Sequence, residues 1–528
     1  MSKCKVELAY QILKELHGEV VAEIARHLMK FGPRHIKLIS EVTQLRVDQI
    51  KKGICILIQH NFVKFDRNKK GVTEYAINTD AVSLQLRYPR YIYCAKTLYG
   101  DAAELLVEEL LQNGQSLMSI ASERVTQRLN EALEATGNPK ITSSLVRDKF
   151  GLMVKTHFLR RCQTVLTDDE NRVISSEEPK ETESLFILPP LEVGSKRKRN
   201  PDGSGPPSKR SKTEEMDIPP DDGVYWMVNV ERFHQYFRDQ LIINCVNSKI
   251  DKQAGEIIRN MLRLSEIKTE PHSTVSATMT ITEIFHSLPK ELGMTKHIVE
   301  QYLSILTEDS VDVISKVCDS SGGLYVINIF RVLKSLCQAH IESFVQERFG
   351  SKCLRIFRVL ILKKHLEQKQ IEEYAMIPTK EAKELLYNMF AEHFITLTEI
   401  SKTVDHAPSR TYYVFRVNID QVARIILEKC YKAAGNAIIR RQMEVAKHKR
   451  VLDKQERVDA IIASLDQAGA DEAQKEEIKE TITPPEKEQL ERCRTTVNML
   501  EQSEIQTDET IFIIETYLYY SLLNTPIK

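Results

Sequence analysis

The chain has 528 residues, which is enough for about three or four domains of ordinary size. Hydrophobic residues make up 42% of it, a share that is typical of folded domains and excludes a largely disordered protein. Lys and Arg together number 74, as do Asp and Glu, so the chain carries no net charge. Any contact with nucleic acid must therefore come from local basic patches.

No apolar run in the sequence approaches the roughly 20 residues that a membrane-spanning helix needs, so we expect no membrane partner. The first ten residues, "MSKCKVELAY", lack the apolar stretch of a signal peptide, and secretion is not expected. The ten cysteines form no C-x-x-C pair. That pattern argues against zinc-ribbon and thioredoxin-like sites and favours reduced, buried thiols.

The first predicted domain, residues 1–82, has three helices followed by two strands. Apolar residues recur at helical spacing in "EVVAEIARHLMK", "HIKLISEVTQ" and "RVDQIKKGICILIQHNFV". "FVKFD" and "VTEYAIN" then alternate as strands around the polar tip "RNKKG". Three helices closed by a β-hairpin form a winged helix, a variant of the helix-turn-helix.

The second and third predicted domains, residues 83–192 and 223–345, follow the same order less regularly. In the second domain, two helical stretches and an acidic insertion at 167–182 precede "SLFILP", which we interpret as the closing strand. In the third domain, "ITEIFHSLPKELGMTKHIVEQYLSILTED" is helical and leads to the strand "GLYVIN". Each of these stretches predicts one further winged helix.

Residues 193–222, between these two domains, are rich in Gly, Pro, Ser and charge, so we expect a disordered linker. The linker holds two basic clusters: Lys196, Arg197, Lys198 and Arg199, then Lys209, Arg210 and Lys212. Such a pair is typical of a bipartite nuclear-import signal. We favour nuclear import over a plain solvated charge run, because both clusters lie in an exposed linker.

The fourth predicted domain, residues 346–435, repeats the plan of the first. "CLRIFRVLILKKH", "EQKQIEEYAM" and "TKEAKELLYNMFAEHF" have helical periodicity. "ITLTEI" and "SRTYYVFRVN" are β-prone and flank the polar tip "SKTVDHAP". Because an isolated hairpin is marginally stable, these strands must pack on the three helices and close their core.

Residues 436–528 predict two long helices joined by a turn at "TITPPEK". Apolar residues recur at seven-residue spacing and form a predicted seam: Val451, Val458, Leu465, Leu490, Val497, Ile511 and Leu518. Glu504 interrupts this grid. The pattern favours an antiparallel coiled-coil hairpin, and an ordinary amphipathic helix pair is the alternative.

The predicted fold class is therefore mainly α with small β-hairpins: four tandem winged-helix domains followed by a C-terminal coiled-coil helical hairpin. The simpler alternative is an α+β protein in which helix–turn–strand patterns recur by chance. No phosphate-binding loop, dinucleotide fingerprint or H-E-x-x-H motif is present, so we predict no cofactor, no metal site and no catalytic activity of the chain itself.

In a winged helix, the third helix and the hairpin tip can approach DNA. Basic residues at these places in the first and fourth domains are the predicted DNA contacts: Lys51, Lys52, Arg67, Lys69, Lys70, Lys402 and Arg410. Lysine contacts of this kind bind phosphates and do not read sequence. "RYPRYIY" at 87–93 could stack single-stranded bases, but its position between domains favours packing of the Tyr rings.

Several stretches together resemble the family of four-winged-helix subunits of nuclear RNA polymerase III. The most specific are "LRYPRYIYCAKTLYGDAAELLVEELLQNG", "DDGVYWMVNVERFHQYFRDQ", "VQERFGSKCLRIFRVL" and "DHAPSRTYYVFRVN". The resemblance covers essentially the whole chain. It extends to the large subunit of transcription factor IIE, to which that family is related.

The resemblance implies a non-catalytic subunit that docks on the polymerase clamp and helps to open promoters of small untranslated RNA genes. It also implies partners: the other polymerase subunits, especially the two other members of the initiation heterotrimer, the initiation factor, and DNA near the melted bubble, including single strands. Because polymerase III has been linked to sensing of AT-rich DNA in the cytosol, it further implies a part in innate immunity and antiviral defence.

Two other interpretations remain open on the residues alone. A stand-alone winged-helix DNA-binding regulator would need a third helix with Arg or Asn for base edges, and the first domain offers mainly lysines there. A protein-only scaffold uses its winged helices to bind proteins, but typically places one after long helical repeats.

Overall fold

The computed structural model describes residues 2–68, 71–137, 139–162, 164–167, 173–177, 185–188, 221, 223–266, 268–289, 293–309, 311–318, 323–401, 411–468, 476, 478 and 480–524. The chain divides into two compact units, Lys3–His234 and Gln235–Lys528. Most described residues are helical, and the strands form small antiparallel sheets. The predicted fold class is confirmed.

The first winged helix, here called module one, lies at the start of the first unit and is a three-helix core closed by a hairpin. Its elements are α1 Lys3–His17, α2 Glu19–Phe31, α3 Ile36–Thr43, α4 Val47–Gln59, β1 Val63–Arg67, β2 Thr73–Ile77 and α5 Thr79–Ser83. Apolar residues three or four apart on α2 and α4 share one buried core. At Gly53 the two helices are so close that an added Cβ would lie 2.6 Å from Ile24 Cδ1.

Module two completes the first unit. Its elements are α6 Tyr88–Tyr99, α7 Asp101–Asn113, β3 Ser116–Leu117, α8 Met118–Thr136, α9 Ser143–Lys155, β4 Leu159–Arg161, β5 Thr164–Thr167, β6 Val173–Glu177 and β7 Tyr225–Val228. The module's sheet has the order β3–β7–β4, and β5 and β6 form a separate hairpin inserted in the wing.

The closing strand of module two is not the one that the sequence predicted. The described part of "SLFILP", residues 185–188, forms a short 3-10 turn followed by coil. The closing strand is instead β7, which lies beyond the basic linker and pairs with both β3 and β4. Trp226 explains this choice, because its ring is fully buried and lies edge-on to Phe150 with ring centroids 5.6 Å apart. Residues 225–228, which we assigned to the third domain, therefore belong to the second sheet.

The second unit contains modules three and four and a long hairpin, except that the first helix of module three begins in the first unit. The elements of module three are α10 Val230–Lys249, α11 Lys252–Glu266, β8 Met279–Thr280, α12 Ile281–Ser287, α13 Lys296–Glu308, β9 Ile314–Cys318 and β10 Leu324–Ile327. Those of module four are α14 Ile329–Phe349, α15 Ser351–Lys363, β11 Leu366–Glu367, α16 Gln368–Ala375, α17 Thr379–Ala391, β12 Thr396–Ser401 and β13 Thr411–Arg416. The hairpin consists of α18 Ile419–Ala468 and α19 Pro484–Asn524.

The four modules share one sheet topology. The orders β3–β7–β4, β8–β10–β9 and β11–β13–β12 each place the last strand of the module between a two-residue strand and the first wing strand. In module one a single bridge takes the place of the two-residue strand. There the amide of Arg34 donates to the carbonyl of Tyr75 at 3.1 Å and the reverse bond is 2.9 Å.

A residue in the left-handed conformation joins the third helix of every module to its wing. These residues and their φ angles are Asn61 at 58°, His157 at 65°, Asp312 at 52° and His393 at 62°. Asn, Asp and His are the non-glycine residues that tolerate this region best. In modules one, two and four the next amide then donates to a carbonyl five residues back in the helix, at 2.9 Å. The wing therefore begins at a fixed distance from the core of the third helix.

An asparagine follows the last strand of every module: Asn78, Asn229, Asn328 and Asn418. The Oδ1 atoms of Asn78 and Asn418 accept hydrogen bonds from amides in the first turn of the next helix. The Nδ2 atoms of Asn229 and Asn328 instead donate to the carbonyls of His157 and Asp312, each at 2.8 Å. In modules two and three the end of the sheet is thus tied to the left-handed residue where the sheet begins.

The hairpin begins earlier than position 436 and is part of the core of the second unit. Val422 and Ile426, near the start of α18, and Ile514 and Tyr517, near the end of α19, lie in the core of module four. Tyr520 lies in the core of module three. The start of α18 and the end of α19 are therefore part of the winged-helix cores of the second unit.

The predicted seam residues lie along the two long helices. Val458, Leu490 and Ile511 are buried, and the other four are half-buried: Val451, Leu465, Val497 and Leu518. Glu504, which breaks the apolar grid, accepts hydrogen bonds from Arg441 Nε at 3.0 Å and Nη2 at 3.2 Å. A paired, largely buried carboxylate is thus accommodated where the seven-residue pattern fails.

We expect His393→Val to lower the free energy of unfolding by about 1–2 kcal/mol, because a β-branched residue resists the left-handed conformation. The side chain of His393 is exposed, so the substitution tests the backbone alone. His393→Gly is the matched control and should cost little or nothing. Urea denaturation of the full chain measures both, and equal midpoints for the two variants would contradict the role of φ.

Candidate nucleic-acid interface

Lys51 and Lys52 lie on the outward face of α4, the third helix of module one. Ile50, Ile54 and Leu57 turn the opposite face into the core. Both lysines are exposed, and neither has an ion-pair partner among the described residues. Two adjacent solvated ammonium groups on a third helix can neutralise phosphates.

The wing of module one is less basic in its described part than the sequence suggested. Arg67 is exposed at the end of β1, opposite Thr73. One pair further along, Asp66 faces Glu74, so two carboxylates flank the tip. Lys69 and Lys70 lie outside the described residues. So do the predicted DNA contacts in the module-four tip, Lys402 and Arg410. The predicted nuclear-import residues of the linker also lie outside the described residues: Lys196, Arg197, Lys198, Arg199, Lys209, Arg210 and Lys212.

The buried residues make the third helices of the four modules comparable position by position. The first buried core residues are Ile50, Val146, Val299 and Ala382. The residues that follow them are Lys51, Arg147, Glu300 and Lys383. The next positions hold Lys52, Asp148, Gln301 and Glu384. The outward faces therefore differ in charge although the inward faces are alike.

A basic third helix in module two was missed by the sequence prediction. On α9, Arg147 and Lys155 are exposed and Lys149 is half-buried, and none has a hydrogen-bond or ion-pair partner among the described residues. α9 carries a single acid, Asp148. The signal was present in "LVRDKFGLMVK", where cations fall between the core positions.

The third helix of module four exposes an aromatic ring in place of a strong positive charge. Its cations alternate with acids in "TKEAKELL". Tyr387 is 70% exposed, and Met376, in the turn before the helix, is 85% exposed. Met376 also adopts a left-handed φ of 53°. Exposed large apolar residues of this kind favour contact with protein.

"RYPRYIY" packs its central ring inside the first unit. Tyr91 is fully buried, lies 5.1 Å from the ring of Phe233, and has its hydroxyl 2.7 Å from His234 Nε2. Burial, with Arg87 and Arg90 nearby, lowers the pKa of His234 to about 3. Tyr93 is 68% exposed. The packing interpretation therefore accounts for Tyr91, and only Tyr93 offers an open stacking face in this segment.

A half-buried imidazole pair supports the C-terminal end of α4. His60, the residue after α4, stacks on Phe62 with centroids 5.5 Å apart and contacts the ring of His17 at 4.6 Å. Burial, and secondarily the neighbouring His17, lowers the pKa of His60 to about 4. Burial also lowers the pKa of His17, whose Nε2 lies 2.9 Å from Gln85 Nε2. Both imidazoles are neutral at neutral pH.

The described residues include no group of three or more His, Cys, Asp or Glu side chains that could hold a metal ion. Burial raises the pKa of Cys94, Cys162 and Cys337 to about 12, so these thiols stay protonated. In the described part of the chain, no helix combines the length and the apolar character that spanning a bilayer requires.

Comparison with known proteins covers the chain from end to end. It is 46% identical to the bovine DNA-directed RNA polymerase III subunit RPC3 over 98% of this chain and 99% of the bovine protein. The human subunit RPC3 is 45% identical with the same coverage. The zebrafish subunit RPC3 is 42% identical, again over 98% of this chain. The chain belongs to the RPC3 family.

Four family profiles match successive parts of this RPC3-family chain. They are described as the RNA polymerase III subunit RPC82 helix-turn-helix domain at residues 7–68, RNA polymerase III subunit RPC82 at 148–336, the POLR3C C-terminal winged-helix domain at 341–417, and the RPC3 helical hairpin domain at 450–513. The resemblance read from the sequence is confirmed. The profiles agree with modules one and four and with the long hairpin.

We expect the stabilising effect of His60 to be lost as the pH falls. Because the pKa is lower in the folded chain, the unfolded chain binds the proton first, so unfolding becomes more favourable between about pH 6.5 and 4. His60→Gln removes this proton uptake. The difference in Tm between the wild-type chain and His60→Gln should therefore shrink from pH 7 to pH 5, as calorimetry can measure. A difference that stays constant would contradict a neutral, half-buried imidazole at this position.

Proposed function

We propose that this chain is a non-catalytic subunit of nuclear RNA polymerase III that binds DNA and partner subunits during promoter opening and initiation. The observation that carries the proposal is the sequence identity of 45–46%, over 98% of the chain, to proteins named as RPC3 subunits. The outward faces of the four third helices differ in charge. This difference supports contact with nucleic acid by some modules and contact with protein by others.

The proposed mechanism is binding rather than chemistry. The outward lysines of α4 hold the phosphate backbone, and modules three and four hold partner proteins. Binding that favours one arrangement of the assembly raises its population by the difference in affinity. On this view the chain stabilises the open promoter without contributing a reacting group.

The proposed partners are other subunits of RNA polymerase III, in particular the two other members of the initiation heterotrimer, and the initiation factor at the promoter. DNA, including single strands near the bubble, is the proposed nucleic-acid partner. Within module four, the exposed Tyr387 and Met376 support contact with protein at this third helix.

A protein-only scaffold is the second candidate, and the outward face of α13 favours it for module three. Glu300 stands there at the position of Lys51, and Glu308 ends the helix. A carboxylate at that place repels phosphate. The two candidates differ in whether the isolated chain binds DNA at all. A stand-alone regulator would in addition prefer one DNA sequence.

Replacing both Lys51 and Lys52 with Ala should weaken binding to duplex DNA several-fold. It should also reduce the slope of log affinity against log salt by about two, because two phosphate contacts are lost. Fluorescence anisotropy between about 50 and 200 mM salt measures both quantities. The matched control is Lys380→Ala with Lys383→Ala on the equivalent helix of module four. If both double variants behave like the wild type, the outward lysines of α4 do not contact DNA.

Tyr387→Ala should reduce recovery of polymerase III subunits with the tagged chain by about tenfold while leaving DNA binding unchanged. The reason is that truncating an exposed aromatic anchor typically costs about 1–2 kcal/mol at an interface. Tyr93→Ala, an equally exposed tyrosine in module two, is the control. Quantitative mass spectrometry of the purified assembly measures the loss. Unchanged recovery of every subunit would remove module four from the proposed protein interface.

A further inference from the structure

We propose that α9 of module two is a second duplex-binding helix, and that α4 and α9 act together as one rigid basic surface, here called the paired-helix surface. It consists of Lys51 and Lys52 on α4 and Arg147, Lys149 and Lys155 on α9. The inference deepens the proposed function and depends on its claim that the chain binds DNA. It adds a site that neither the sequence prediction nor the family assignment locates.

The charges of α9 support a site for an anionic backbone. Arg147 stands at the position that Lys51 occupies in α4, directly after the first buried core residue. Lys149 and Lys155 add two further cations, and no carboxylate of the described chain forms an ion pair with any of the three. Cations that are not neutralised internally are free to replace the counterions of a nucleic acid.

The turn between α7 and β3 holds module one against module two. Gln59, the last residue of α4, donates from Nε2 to the carbonyl of Asn113 at 2.9 Å. The adjacent Gly114 has a φ of 76°, and a Cβ added there would lie 2.6 Å from the carbonyl oxygen of Gln59 and 2.7 Å from Cα of His60. Nothing larger than glycine fits at this contact.

A second contact joins the same two modules. The left-handed Asn61, two residues beyond α4, donates from Nδ2 to the sulfur of Met227 in β7 at 3.7 Å. Both contacts act on the end of α4, so the position of α4 relative to the sheet of module two is set by close packing. α9 packs on the same sheet through Phe150, which lies against Trp226 of β7. The geometry between α4 and α9 is therefore fixed without a ligand, which reduces the ordering cost of binding.

The chemistry of the two helices favours duplex DNA over a single strand. Proteins that bind single strands without sequence preference stack bases on exposed aromatic rings. α4 has no aromatic residue, and the only one in α9, Phe150, is fully buried. Contact with a duplex backbone needs only cations on a protruding helix. The exposed Leu145 and Leu152 can lie against sugars or thymine methyl groups.

Substitution of Asp148 allows a test in which the affinity for duplex DNA is expected to increase. It stands where Lys52 stands in α4 and is the only acid on α9. Its carboxylate opposes a phosphate at that place, so Asp148→Lys should tighten duplex binding about tenfold and increase the salt slope by about one. A gain cannot arise from misfolding, and the same substitution at the equivalent Gln301 of module three should have no effect.

The complementary loss variant replaces Arg147, Lys149 and Lys155 with Ala in the full chain. Binding to a labelled mixed-sequence duplex about three helical turns long should weaken at least tenfold, and the salt slope should fall by two to three. The matched control removes three cations from module four: Lys363, Lys380 and Lys383. The two triple variants have equal net charge, so a general charge effect would weaken both equally.

Two glycine variants test whether α4 is rigidly coupled to module two. Gly114→Ala should weaken duplex binding without changing any charge, because the added methyl group separates α4 from module two. Gly100→Ala introduces the same backbone strain, at a φ of 91°, where no atom lies within 4 Å of the added Cβ. Loss of affinity in Gly114→Ala alone, with circular dichroism unchanged in both, supports coupling. Equal affinities of the two variants would overturn it.

The outcomes separate this inference from the proposed function. If the wild-type chain does not bind duplex DNA at low salt, the DNA part of the proposed function fails first. If the wild-type chain binds DNA and only the α4 variants weaken that binding, the proposed function stands and the inference about α9 is wrong. Tighter binding of an equally long single strand, lost in the same α9 variants, would overturn the assignment of a duplex. If the α9 variants bind DNA normally but recover fewer polymerase subunits, α9 is a protein face.

Discussion

One constraint sets the geometry of every module: a left-handed residue lies in the short connection between the third helix and the wing. Because this connection is only three to five residues long, the wing starts close to the last core positions of the helix, and the sheet closes the core. The residues used are Asn61, His157, Asp312 and His393, all of types that tolerate positive φ. In modules two and three the asparagine after the sheet donates to the carbonyl of this same residue.

Since the inward faces are constrained in this way, the outward faces are free to differ. The same position on the third helix holds Lys51, Arg147, Glu300 or Lys383, and the surroundings range from solvated cations to an exposed tyrosine. A repeated fold thus presents four chemically distinct surfaces. Function in such a protein is a property of these outward positions and not of the fold.

Most of the fold was predictable because helical periodicity and the polar tips of modules one and four are local patterns. The failure at "SLFILP" was equally informative. That segment and "YWMV" are both short and apolar, and no local rule separates them. Burial of Trp226 against Phe150, residues far apart in sequence, decides between them. The repeated asparagine in "AIN", "MVN", "VIN" and "RVN" was the available signal, because it marks the end of each sheet.

The sequence by itself determined the class of the fold, the family, and the solvated lysines of α4, since each depends on residues that are neighbours along the chain. Only the tertiary structure decided which strand closes module two, that the two long helices enter the cores of modules three and four, and that Gly114 packs module two against the end of α4. These features depend on contacts between distant residues, where shape and burial select the partner and local pattern carries no information about it.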